Sequence, residues 1–163
     1  MNTGIQGSSS TPQYARTTTT PAGKKKNRKD LMQIAIAHNI PYAASASIFK
    51  LDDLQKKIEK ASIADGSSLV HIQTPCPTGW GFEPSKTVEI AKTAVKSGSW
   101  ILYEYEDGEV TINYKPDTLE SIEKYIGLQD RFKHLTEEQK EDLQDYIKDH
   151  YESYIKKLEC MSK

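Results

Sequence analysis

Cysteine is scarce: Cys76 and Cys160 are the only two in 163 residues. That excludes a disulfide framework, which needs several pairs in a short chain, and leaves each cysteine to be read as a free thiol or a metal ligand. Long apolar runs are absent as well. None approaches the roughly 18 residues of a membrane-spanning helix, and Met1 is followed by glycine, serine and threonine rather than the apolar core of a secretory leader. Cytoplasmic residence and no membrane partner are the expectations. Nor is there an excess of one charge. With 22 basic and 23 acidic residues the net charge is -1, so no broad positive field exists to hold a nucleic-acid backbone. The four histidines (His38, His71, His134 and His150) show no metal-binding spacing, and no nucleophile–base–acid triad is expected.

What is present fits one α/β unit at the polar end of globular composition, with 36% hydrophobic and 28% charged residues. Six basic residues and no acidic one precede Asp30, whereas carboxylates outnumber cations from Lys115 onward. Such polarity suits subunit contacts or anion binding equally. Residues 1–27, rich in glycine, serine and threonine with almost nothing apolar, read by composition as a flexible tail. The competing reading is an ordered loop in which glycine and hydroxyl groups approach a phosphate.

From Asp30 the apolar spacing of Leu31, Ile34 and Ala35 predicts a helix, stopped by Asn39 and Pro41. A short strand over 42–45, a helix through Leu51, Leu54, Ile58 and Ala61, and a buried strand over 69–72 follow. Helix and strand alternating with short connections predict parallel α/β architecture, in which sites gather at the C-terminal ends of strands. A helix over 85–96 and a hairpin, strands 100–105 and 110–114 joined at Asp107-Gly108, come next. Thr136 and Gln139 form a capping box for a final helix with Leu143, Ile147, Tyr154 and Leu158 on one face. The hairpin and helix read as an arm over a neighbouring subunit or, alternatively, as docked on their own chain.

Several ordered motifs then carry a resemblance. Met1-Asn2-Thr3-Gly4-Ile5-Gln6, Ser8 to Pro12, Thr17 to Pro21, Pro75-Cys76-Pro77-Thr78-Gly79-Trp80, Tyr114-Lys115-Pro116 and Arg131-Phe132-Lys133-His134-Leu135 together resemble the C-terminal portion of the beta subunit of the pyruvate:ferredoxin oxidoreductases. The resemblance implies the end of a thiamine-diphosphate-binding parallel-sheet fold over 1–98, followed by a hairpin and helical subunit-contact tail over 99–163. It implies oxidative decarboxylation of pyruvate with coenzyme A, the electrons passing through a four-iron four-sulfur cluster to ferredoxin. Asn2 inherits a place beside thiazolium and substrate, with Thr3 and Gly4 in the same cofactor contact, and Cys76 that of the last cluster ligand. Magnesium, the other three thiolates and the diphosphate-binding segments lie upstream in such relatives. Alpha, gamma and delta subunits are the implied partners. Gly7 departs from the family, which carries a basic residue there. Action on another 2-oxoacid, and a non-catalytic interaction module, remain the alternatives.

Overall fold

The computed structural model describes residues 5–162. Its element order starts with α1 (Leu31–Ala37), β1 (Tyr42–Ser47), α2 (Leu51–Ile63) and β2 (Ser68–Gln73). Next come α3 (Pro77–Trp80), α4 (Thr87–Lys96), β3 (Leu102–Glu106) and β4 (Glu109–Tyr114), and last α5 (Glu123–Ile126) and α6 (Glu137–Met161). The Asp30 carboxylate caps α1 by accepting from Gln33 N at 3.0 Å, and Asn39 ends the run in a left-handed conformation at φ 55°, which asparagine tolerates. The Thr136 hydroxyl and Gln139 side chain cap α6 reciprocally, as the sequence predicts.

The four strands form one sheet in the order β2-β1-β3-β4. β1 and β2 are parallel, with Ala43 opposite Leu69 and Ser45 opposite His71. The hairpin is not a separate arm: β3 pairs antiparallel with β1, Ala44 facing Glu104, so the sheet is mixed. All six residues of β1 are buried. Alternate side chains face opposite sides, and α2 lies over the face bearing Tyr42 and Glu104. On the other face Met32 of α1 and Leu158 of α6 pack with Ala43, Tyr103 and Val110. A second cluster joins Ile90, Val95, Trp100, Leu102, Ile122, Ile126, Phe132 and Leu143.

A flexible tail is not what residues 5–27 form. Ala15 is fully buried, Tyr14 N donates to Lys24 O at 2.8 Å and Lys24 N to Ala15 O at 3.1 Å. The Lys24 ammonium donates to Ser8 O at 2.8 Å and Thr11 O at 2.7 Å. Composition misses this because satisfied backbone, rather than a large apolar surface, holds the loop.

Glu104 fastens the sheet to α2. Its carboxylate accepts from the Tyr42 hydroxyl at 2.7 Å, from Lys60 Nζ at 3.1 Å and from Asn113 Nδ2 at 3.2 Å. Burial alone would raise its pKa, but these three donors together hold it below the ordinary 4.5. A depressed carboxylate pKa contributes stability that is present above about pH 4.5 and lost as pH falls through the folded-state value. Glu104→Gln is therefore expected to cost about 1–3 kcal/mol at pH 7 and to flatten the fall in melting temperature below pH 4.5. An unchanged acid profile in thermal melts would contradict this role.

Candidate active site

Cys76 stands at the C-terminal end of β2, where sequence reasoning placed it. It is half-buried, with a free thiol, and it is the N-cap of α3, a single turn opened by Pro77. Asn2, Thr3 and Gly4, the other predicted site residues, lie outside the described residues. The loop that follows them does not. Thr17 and Thr20 close a tight turn, Thr20 N donating to Thr17 O at 3.0 Å, and Gly7 N donates to the Thr19 hydroxyl at 2.9 Å. A Cβ at Gly7 would come within 2.9 Å of the Thr20 hydroxyl, so the basic side chain common in the resembled family has no room here without displacing Thr20.

One short segment, 129–134, ties this threonine loop to the Cys76 turn. Arg16 N donates to Arg131 O at 3.1 Å, and Asp130 N donates to Gly81 O at 2.9 Å. The Arg131 guanidinium lies 3.7 Å from the centroid of the Trp80 ring. It also donates to Gln129 Oε1 at 2.8 Å and to the Tyr125 hydroxyl at 3.2 Å. Burial lowers the Arg131 pKa to about 10 against the attraction of Tyr125, so the group stays cationic at neutral pH. His134 closes the other side: Gly23 has φ 83°, and a Cβ there would meet Tyr14 O at 2.6 Å and His134 Nε2 at 3.1 Å. Burial and Arg16 hold the His134 pKa below its ordinary value despite a hydrogen bond to the Tyr14 backbone.

The Arg131 to Leu135 motif shows no task in the sequence alone, and nothing in the sequence marks Gly81. The one available signal was an arginine beside aromatics in a short turn. Its partner Trp80 lies 51 positions earlier, so only the fold reveals the pair.

The donor set is incomplete. Cys160, the other thiol, is exposed near the end of α6, and among the described residues no three His, Cys, Asp or Glu side chains gather as a metal site. One thiolate does not make a cluster site, which takes four, and without a carboxylate group magnesium has no oxygen cage. These residues do not by themselves fit either group. Among the described residues no helix is long and apolar enough to cross a membrane.

Comparison with known proteins places the chain among thiamine-dependent oxidoreductase subunits. Residues 1–72 match the C-terminal TPP-binding domain of thiamine pyrophosphate enzymes. The chain is similar to the pyruvate synthase subunit PorB of Methanothermobacter thermautotrophicus, at 49% identity over 90% of this chain and 53% of that one. It is 46% identical to the PorB of Methanocaldococcus jannaschii over 90% of this chain and 51% of the relative. To the ketoisovalerate oxidoreductase subunit VorB of Pyrococcus abyssi it is 45% identical, over 97% of this chain and 53% of the relative. The chain thus spans about half the length of the curated relatives it matches.

Gly81 offers the sharpest test of the tie between the two segments. It sits at φ 68°, and a Cβ there would fall 2.5 Å from Asp130 Cβ, whereas Gly108, at φ 98°, has nothing within 4 Å. Both glycines to alanine incur the left-handed penalty of about 1–2 kcal/mol, but only Gly81→Ala adds the clash. A much larger drop in melting temperature for Gly81→Ala than for Gly108→Ala is expected; equal drops would remove the contact from the account.

Proposed function

The chain belongs to the 2-oxoacid:ferredoxin oxidoreductase beta-subunit family, and we propose that it forms part of a multi-subunit pyruvate:ferredoxin oxidoreductase of the cytoplasm. In this reading pyruvate and coenzyme A are converted to acetyl-CoA and CO2, releasing a proton and two electrons that reduce ferredoxin one at a time. Residues 1–98 form the cofactor-side part, and 99–163, besides completing the sheet, supply contacts to alpha, gamma and delta subunits. The observation that supports the reading most is the 129–134 segment, which bonds to both the threonine loop and the Cys76 turn.

Thiamine diphosphate, when bound, supplies the electron sink for decarboxylation. This chain's residues position and shield. The Asn2 amide is placed to donate to developing oxyanion charge, a contribution that grows when water is excluded, with Thr3 and Gly4 beside the cofactor. Cys76 contributes one thiolate to a four-iron four-sulfur cluster, and Arg131, stacked on Trp80 of the helix that Cys76 caps, supplies a cation to that turn. The remaining thiolates and the magnesium ligands come from polypeptide beyond the residues described. Similarity to the VorB chain over 97% of this one favours a second reading, in which the substrate is the branched 2-oxoacid named for that relative.

Capture of the native complex through this chain tests both. Cys76→Ser is expected to lower iron by about four atoms per protomer while thiamine diphosphate is retained; unchanged iron would remove Cys76 from the ligand set. Pyruvate is expected to exceed ketoisovalerate in kcat/KM by at least about tenfold, and the reverse ratio would establish the second reading.

A further inference from the structure

Away from Cys76, a cavity of ≈ 140 Å³ opens between the segment entering α1, the Trp100 corner and the middle of α6. Its inner wall is apolar, with Ile122, Ile126 and Leu143 among its lining residues, all buried. Several polar groups converge on it. The Arg28 guanidinium lies 4.8 Å from the Trp100 ring centroid and uses one amino group to donate to Ser99 O at 2.6 Å. His71 meets the same indole edge-on at 4.8 Å. Tyr146 and His150 stack at 5.7 Å with 13° between their planes.

These groups are not consumed by the fold. Among the described residues no hydrogen bond is formed by the His71 ring, the His150 ring or the Tyr146 hydroxyl, and Arg28 forms only the one to Ser99. The His71 ring nitrogens and the Tyr146 hydroxyl are not among the buried unpartnered atoms, and Arg28 and His150 are exposed residues. Asp30, the nearby carboxylate, is committed: it caps α1 and accepts from the Tyr154 hydroxyl at 2.7 Å. Arg28 is an exposed residue whose guanidinium is crowded by protein. Desolvation lowers its pKa from 12.5, yet it remains a cation at neutral pH. Burial and Arg28 both hold His71 below its ordinary value, so its ring offers hydrogen bonds without a second positive charge. A concave apolar site with a few convergent polar groups is the usual form of a small-molecule site. A cavity of about 150 Å³ suffices for benzene, and a guanidinium with donors left beside its bond to Ser99 O can pair with a carboxylate in geometry and charge.

We propose that this cavity binds a small carboxylic acid with an apolar body of about six carbons, the carboxylate on Arg28 and the body against Leu143 and Ile126. None of the polar groups that the site would use belongs to the Cys76 turn or the threonine loop, although Pro12 and Phe132 in its lining join it to the 5–27 loop and to the 129–134 segment.

Ligand-observed fluorine NMR with 4-fluorobenzoate tests it, on the full chain together with any subunits that accompany it. 4-Fluorobenzamide serves as the uncharged comparator. Saturable benzoate binding with Kd of about 1 mM or tighter is expected, with the amide at least about tenfold weaker. Arg28→Gln, at an exposed position, should abolish the preference for the acid and leave amide binding in place. Leu143→Trp, which fills the well, should remove both; if circular dichroism shows that variant unfolded, Ile147→Trp at the half-buried rim serves instead. Absence of saturation, an acid preference that survives Arg28→Gln, or binding indifferent to the filled well in a folded variant would each overturn the proposal.

Discussion

Complete burial of β1 is the constraint on which the structure rests. Six consecutive residues, Tyr42 to Ser47, are shielded on both edges and both faces, and such a strand must satisfy every polar group internally. The small side chains from Ala43 to Ser47 let the neighbours approach, and hydrogen bonds then pass in both directions between them and the strand. The Trp100 indole donates to Ala46 O at 3.0 Å, the buried Lys57 ammonium to Ser45 O at 2.9 Å and the Ser47 hydroxyl to Gln73 Oε1 at 3.0 Å. Lys57 would be costly to bury alone. Asp53, one helical turn earlier, faces it at 2.7 Å, and although burial still lowers the ammonium's pKa, the carboxylate and the Ser45 carbonyl oxygen offset part of the desolvation cost. The hairpin, α2 and the Trp100 corner are thereby located by the same strand.

The candidate active site is built by a second set of ties that reach across the sequence. Arg131 is nearly inaccessible, yet its guanidinium has an aromatic face, a carbonyl oxygen and a phenol around it, the environment in which a planar cation tolerates burial. Because its own backbone oxygen also receives Arg16, one residue fixes the spacing between two loops that share no other regular structure. A positive charge held this way needs no reorganisation when negative charge develops beside it.

Much of the local structure is legible from neighbouring residues. Asp30 before an apolar stripe, Thr136 with Gln139 and Asp107-Gly108 each act within four positions, and each forms the cap or turn it predicts. Pro75 and Pro77 around Cys76 likewise mark the end of β2. The loop over residues 5–27 reads wrongly from composition because its order comes from Lys24 bridging carbonyls 13 and 16 positions away. The hairpin's attachment to β1 is equally invisible to periodicity, which reports that a strand exists but not which edge it joins.

By itself, then, the sequence determines the order and type of the main elements, the place of Cys76 after a strand and, through ordered motifs, the family. These depend on short-range dihedral preferences and on residue types in fixed order, both of which are local properties of the chain. The tertiary structure alone decides that the sheet is mixed, that Arg131 stacks on Trp80, that Gly81 must lack a side chain and that Arg28 faces a cavity. Each of these depends on side chains and backbone brought together by packing across tens of positions, and packing is a property of the assembled core rather than of any segment within it.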